Sequence, residues 1–223
     1  VPVILSTGRS WAAALTVLEQ LPDLNAEHVC SNGAVTVRYP PFEVVDLITF
    51  DPRPVVELIA REAPHVLLAV EIIGQGYQVT APFPEGELHG VIEVVEVDEL
   101  ISRDVTRIIV RDPEAGEDEF IALAERLGLD GVSYVIGYTA WLDIAPKGVD
   151  KAHGLDRVAR RMGIEPADVL ALGDGRNDIE MLEWAGRGVA MGHAPQVVLD
   201  RADAVTGSIE DGGLVAELNR WFA

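Results

Sequence analysis

Short uninterrupted apolar runs in this chain alternate with stretches where apolar residues return every three or four positions, the pattern of buried strands followed by amphipathic helices. Val1-Pro2-Val3-Ile4-Leu5 predicts a fully buried strand that runs into Ser6-Thr7-Gly8-Arg9. Trp11, Leu15 and Leu18 then share a helical face, predicting a helix over 10–21 that Pro22 ends. His28-Val29-Cys30 predicts a second strand. Ser31-Asn32-Gly33-Ala34 predicts a turn whose Asn-Gly pair tolerates positive φ, and Val35-Thr36-Val37 an extended return. From about residue 51 the order becomes a helix at 54–62, strands at 66–73, 77–80 and 105–111, a helix at 118–127, and strands at 132–136 and 141–144, an α+β unit with antiparallel pairs. From Lys151 the rhythm reverts. An amphipathic helix over 151–162 closes at Gly163 ahead of Pro166, and an apolar strand over 169–172 enters Gly173-Asp174-Gly175. A helix at 177–185, a strand at 188–191, a helix at 195–201, a strand at 204–206 and a helix at 212–221 complete it. Strands alternating with helices predict a parallel sheet. The whole reads as an α/β protein, a Rossmann-like doubly wound parallel-sheet core (residues 1–48 and 147–223) with an inserted α+β cap domain (49–146), and no internal repeat or low-complexity tract.

Composition narrows the function. With 48% hydrophobic residues the chain can bury real cores. Its 17 basic and 37 acidic side chains give a net charge of −20, which repels nucleic acid and anionic membranes at long range. A small anionic substrate would need local donors or a cation. The single cysteine, Cys30, excludes a disulfide framework and a cysteine-built zinc site and fits a reducing compartment. No apolar run approaches a membrane span, and no basic region followed by an apolar one stands at the front, so a soluble, cytoplasmic protein is expected. Oligomeric state is not legible here.

The densest chemistry is Gly173-Asp174-Gly175-Arg176-Asn177-Asp178, where a buried strand gives way to a helix. Two carboxylates four residues apart with an amide between them can converge at the carboxyl edge of a parallel sheet, where hard oxygens suit Mg²⁺. An Asp-Gly turn with Asp178 favouring a helix N-terminus is the plainer reading of the same residues. Ser6-Thr7-Gly8-Arg9 ends another strand, where hydroxyl and N–H groups can receive phosphate oxygens or simply cap the next helix. Lys151 opens a helix and can neutralise phosphate as a point charge, although a lone lysine is usually solvated. The five histidines, His28, His65, His89, His153 and His193, show no metal spacing and receive no catalytic role. Tyr77, Tyr134, Tyr138 and Trp141 could stack on a sugar, but aromatic residues in strands more often pack a core.

In this order the pieces resemble the haloacid dehalogenase superfamily, specifically Cof-type phosphatases with a large cap inserted between the second and third motifs. Val3-Ile4-Leu5-Ser6-Thr7-Gly8-Arg9 is similar to the second motif, and Lys151 in Gly148-Val149-Asp150-Lys151 to the third-motif lysine. Gly173 to Leu182 is similar to the fourth motif. Gly188-Val189-Ala190-Met191-Gly192-His193-Ala194, Ala202-Asp203, Glu210-Asp211-Gly212-Gly213 and Ser31-Asn32-Gly33-Ala34 continue the pattern. The resemblance implies a Mg²⁺-dependent phosphatase acting on a small phosphorylated metabolite such as a sugar phosphate. It implies catalytic roles for Thr7, Lys151 and Asp178, substrate binding by Thr7, Gly8, Arg9, Asn32, Lys151 and Asn177, and metal binding by Asp174 and Asp178, with Asp178 supporting the ion or orienting Lys151.

The family's first motif, an Asp-x-Asp that supplies nucleophile and general acid/base, does not occur in its setting, because Asp23, Asp46 and Asp51 do not follow a buried strand. The expectation is that this strand precedes Val1 and that the phosphoaspartyl intermediate forms there. A phosphosugar mutase on the same scaffold, a non-catalytic phosphometabolite-binding protein and a structural interaction module are the competing readings.

Overall fold

The computed structural model describes residues 1–21, 24–129, 132–137 and 141–222. Pro22 and Tyr138, named above as a helix stop and a stacking candidate, lie outside these residues. The chain forms two compact units, Val1–Val149 and Asp150–Ala223.

The first unit begins with α1 (Trp11–Leu18), then β1 (Ala26–Cys30), β2 (Val35–Tyr39) and β3 (Glu43–Leu47), which make an antiparallel three-stranded sheet in that order. Trp11, Ala14 and Leu18 of α1 pack on Cys30, Val35 and Val37. Ser10 caps α1 by accepting the Ala13 N–H. Next come α2 (Arg53–Glu62), β4 (Leu67–Ile72), β5 (Gly76–Val79), β6 (Val91–Val94), α3 (Val97–Leu100), β7 (Ile108–Arg111), α4 (Glu117–Leu127), β8 (Val132–Gly137) and β9 (Trp141–Pro146). The six strands pair in the order β6-β5-β4-β7-β9-β8, antiparallel except for β5 with β6. Strand alternation sorts the side chains. Leu68, Val70, Ile108, Val110, Leu142 and Ile144 join Val56, Ile59 and Phe120 of the helices in one core, while Ala69 and Ile109 pack on the other side with Tyr77 and Val79.

The second unit is α5 (Lys151–Met162), β10 (Leu170–Gly173), α6 (Ile179–Trp184), β11 (Arg187–Ala190), α7 (Gln196–Leu199), β12 (Ala204–Val205) and α8 (Gly213–Phe222). Its sheet β10-β11-β12 is parallel, as the strand and helix alternation predicts. Asp150 caps α5 through the His153 N–H, and Gly163 closes it in the left-handed conformation. Glu217 of α8 is buried and accepts from Arg187 of β11 and from the indole of Trp221.

Some expectations are corrected. Val1 to Leu5 is not a buried strand. Val1 and Val3 are exposed, and the segment's contact with β1 is a single parallel bridge, Ser6 to Val29, flanked by Val29 N–H to Leu5 O and Thr7 N–H to Val29 O. Leu5 packs against the core of α1 and its sheet, while among the described residues nothing covers Val1 and Val3. The strand expected over 105–111 starts at Ile108, since Val105 leaves the sheet to bridge Phe50. The strands β3 and β6 and the short α3 carry exposed or charged residues in weak apolar patterns and give little sequence signal. Tyr77 packs in a core and Trp141 meets Phe83 edge-on, whereas Tyr134 is exposed. Among the described residues no helix is long and apolar enough to cross a membrane.

Arg187 holds the Glu217 carboxyl below its ordinary range. A carboxylate whose folded pKa is depressed stabilises the fold above its unfolded value and loses that contribution as pH falls through the folded one. Glu217→Gln is therefore expected to cost about 2 kcal/mol at neutral pH. Urea unfolding of parent and variant from pH 7 down to pH 3 should show this difference shrinking once pH drops below about 4.5.

Candidate active site

In the second unit, the apolar β10 carries the chain to its carboxyl end at Gly173, and a tight turn over Arg176–Asp178 brings Asp178 back beneath the loop. One Asp178 oxygen accepts the N–H groups of Asp174 and Gly175 at 2.9 and 2.8 Å. The other accepts from Lys151 Nζ. Both partners of this ion pair are buried, with side-chain exposures of 8% for Lys151 and 6% for Asp178. The glycines leave the room. A Cβ on Gly173 would lie 2.6 Å from Asp178 Cβ, and one on Gly175 would lie 2.5 Å from the Asn177 side-chain oxygen. Lys151 is the first residue of α5, where the helix dipole disfavours a cation, so Asp178 supplies the compensation. Asp174, by contrast, is 58% exposed, and its carboxylate meets His193 Nε2 at 3.0 Å.

In the first unit, Thr7 Oγ1 accepts the Arg9 N–H at 3.1 Å, so its own proton stays available for another acceptor. The Ser6–Arg9 segment is stitched to the turn after β1 by Ser31 N–H to Arg9 O at 2.9 Å and Asn32 N–H to Thr7 O at 3.2 Å. Ser31 and Asn32 both have positive φ, 50° and 52°, and both are buried. The Asn-Gly expectation is met at Asn32 and Gly33, and Ser31 before them takes a positive φ as well. Two such residues cost on the order of 1 kcal/mol each and persist only where surrounding bonds over-determine them.

Beside those main-chain bonds, the turn and the Ser6–Arg9 segment are held by charged side chains on and next to the six-stranded sheet. Arg107 donates to Asp143 on β9 and, through Nη1, to the Gly8 carbonyl at 2.8 Å. Glu71 on β4 accepts from the Ser31 hydroxyl and from the Trp11 backbone. Burial raises the Glu71 pKa against the opposing pull of Arg107, and burial pushes the Cys30 thiol up to about 12. His28 is neutral by its bonding: Nδ1 accepts the Leu5 N–H and Nε2 faces the Leu24 carbonyl, while burial lowers its pKa.

Of the sequence candidates, the structure brings Lys151, Asp174, Asn177 and Asp178 together in the second unit, and Thr7, Gly8, Arg9 and Asn32 in the first. Sequence reading missed His193 as the partner of Asp174, although it lies in the Gly192-His193-Ala194 stretch. It also missed Arg107, Glu71 and Asp143. Their signal was a single charge set in or against an apolar strand, as in Val70-Glu71-Ile72 and Leu142-Asp143-Ile144.

Comparison with known proteins gives the family and the fold. The family described as haloacid dehalogenase-like hydrolase matches residues 1–218. A phosphatase of the haloalkanoate (HAD) enzyme superfamily from Bacteroides thetaiotaomicron is 29% identical, superposes with a TM-score of 0.79, and is matched over 99% of this chain and 81% of its own. A HAD subclass IIB sugar phosphatase, 24% identical, shares the fold with a TM-score of 0.83 over 99% of this chain and 85% of its own. The 5-amino-6-(5-phospho-D-ribitylamino)uracil phosphatase of Bacillus subtilis is 31% identical over 138 residues, 59% of this chain. That match spans 50% of the Bacillus protein's length.

The close packing at Gly173 makes a local test. Gly173→Ala is expected to lower stability by about 1–3 kcal/mol, because Asp178 must shift or the strand must bend. Gly116→Ala, where no heavy atom lies within 4 Å of the added methyl and only the cap preference at the start of α4 is lost, is expected to cost less, about 0.5 kcal/mol. Thermal unfolding of both variants measures the difference.

Proposed function

The chain belongs to the haloacid dehalogenase-like hydrolase family, and from that premise we propose that it serves as the substrate-positioning and electrostatic part of a Mg²⁺-dependent phosphatase for a small phosphate monoester of the sugar-phosphate class. The observation that carries this reading is the buried Lys151–Asp178 pair, bonded into the backbone of a loop whose other carboxylate, Asp174, stays open to solvent. A structural ion pair alone would not require the adjacent open carboxylate.

Each residue then has a task. Lys151 neutralises phosphoryl oxygens, and Asp178 orients its ammonium with one oxygen, which keeps a lone pair to support the ion, while the other oxygen is filled by the two loop N–H groups. Thr7 donates its hydroxyl proton to a phosphoryl oxygen, while Gly8, Arg9, Asn32 and Asn177 complete the polar surroundings of the phosphate. Residues 49–146 act as the cap that excludes bulk water. The attacking carboxylate, which would form the phosphoaspartyl intermediate, is an Asp preceding Val1 in this reading.

The donor chemistry fits Mg²⁺ at Asp174. Among the described residues there is no group of three or more His, Cys, Asp or Glu side chains able to hold a metal. Mg²⁺ takes one or two carboxylates and fills its remaining positions with water and substrate phosphate, which is what a single exposed Asp174 offers. When bound it would neutralise charge on the phosphate. The Bacillus relative's name describes a phosphoribityl substrate, which supports a phosphorylated polyol or sugar here.

Phosphate release from sugar phosphates and p-nitrophenyl phosphate by the full-length protein is expected with Mg²⁺ and is expected to cease with EDTA. Release that persists in EDTA would remove the metal from the reading, and no release from folded protein would remove the phosphatase. Asp174→Asn is expected to abolish the Mg²⁺-dependent rate with little change in unfolding midpoint. Lys151→Ala is expected to lower kcat by about 100- to 1,000-fold, the loss typical of one electrostatic donor; an effect on stability alone would return Lys151 to a structural role.

A further inference from the structure

The buried charged group of the first unit is expensive, and its cost points to a use. Arg107 is buried against the half-buried Asp143, and the buried Glu71 lies within their field. Burying such groups costs several kcal/mol per ion before pairing, and apolar residues of equal volume often serve a core as well or better. This guanidinium does not turn all its donors to carboxylates, however. Nη1 leaves the pair to reach a main-chain carbonyl, that of Gly8, 99 residues away in sequence.

Gly8 O and the Arg9 N–H belong to one planar peptide unit and point in opposite directions. The oxygen is held by Arg107 Nη1 at 2.8 Å, and the N–H is held by Thr7 Oγ1 at 3.1 Å. Fixing the first end of that plane fixes the second. Successive bonds through a peptide also polarise one another, so the Arg9 N–H becomes a better donor when its carbonyl is bonded to a cation. On the neighbouring turn, Glu71 holds the Ser31 hydroxyl, and the Ser31 and Asn32 N–H groups return to Arg9 O and Thr7 O.

We infer that Arg107 is a positioning residue for the phosphoryl-transfer reaction proposed above, acting through the Gly8–Arg9 peptide to orient the Thr7 hydroxyl, with Asp143 aiming the guanidinium and Glu71 bracing the Ser31–Asn32 turn. The inference rests on the phosphatase reading for its kinetic consequence but not for its geometry. Arg107 touches no reacting group in this scheme. Its effect falls on the orientation of a donor, and therefore on kcat more than on KM.

The test uses the full-length protein. Arg107→Met combined with Asp143→Leu removes the pair together and leaves Glu71 as the buried carboxyl of the group, which burial already biases towards its neutral form. Arg111→Met combined with Glu87→Leu removes an Arg–carboxylate pair at the far end of β7 and is the control. With p-nitrophenyl phosphate the first double variant is expected to lose about 100-fold in kcat, the scale of a small misplacement of a reacting group, with KM within about twofold. The control is expected to keep both. Amide hydrogen exchange reads the geometry without turnover: the Thr7, Ser31 and Asn32 amides should exchange about tenfold faster in the first variant and not in the control, while Ile108–Val110 stay protected in both. Arg107→Lys, which keeps the charge but gathers its donors on one nitrogen instead of the separate nitrogens that reach Asp143 and Gly8, is expected to recover part of kcat. Unchanged exchange at Thr7, Ser31 and Asn32, an equal effect in the control, or a loss confined to KM would overturn the inference. Absence of phosphate release by the parent would sink the phosphatase reading instead, and the exchange comparison alone would then decide the clamp.

Discussion

Asp178 is the constraint on which the second unit's site depends. A single carboxylate holds three donors from two segments: the ammonium of Lys151 at the start of α5, and the N–H groups of Asp174 and Gly175 after β10. Removing the ammonium would leave a buried charge, and removing the carboxylate would leave a buried lysine at the positive end of a helix. The geometry is therefore self-enforcing. It also accounts for local composition, since glycine at 173 and 175 is what lets the carboxylate and the Asn177 amide lie against the chain.

The first unit solves a different problem by different means. Its loop groups are mostly main-chain donors and acceptors, which cannot be chosen by type, only aimed. Aiming them requires contacts from elsewhere, and these come as buried charged side chains from β4, β9 and the residue before β7. The strain of two consecutive left-handed residues at Ser31 and Asn32 is held by the same bonds. The fold thus places an electrically costly cluster under a conformationally costly turn.

Much of this was legible in the sequence. The parallel strand and helix alternation after Lys151, the antiparallel pairs between residues 67 and 146, and the Gly173–Asp178 cluster all rest on local periodicity or short spacing. What local pattern could not carry was long-range pairing. Arg107 meets Gly8, Glu71 meets Ser31, and His193 meets Asp174 across separations that no periodicity encodes. Val1–Leu5 failed for the opposite reason: its apolar pattern is strong, but burial depends on what packs over each face, which a strand's own residues do not specify. The exposed β6 shows the same dependence, since it is a strand because β5 offers an edge and not because its own burial favours one.

The Arg9 N–H that holds Thr7 belongs to the backbone, while the Arg9 side chain is exposed. Every residue except proline supplies that donor at position 9. Replacing the Arg9 side chain with alanine would therefore leave this bond untouched, and among the amino acids only proline would remove it. The bond's contribution to the loop would be visible only through that single residue, or by exchanging the amide itself for an ester.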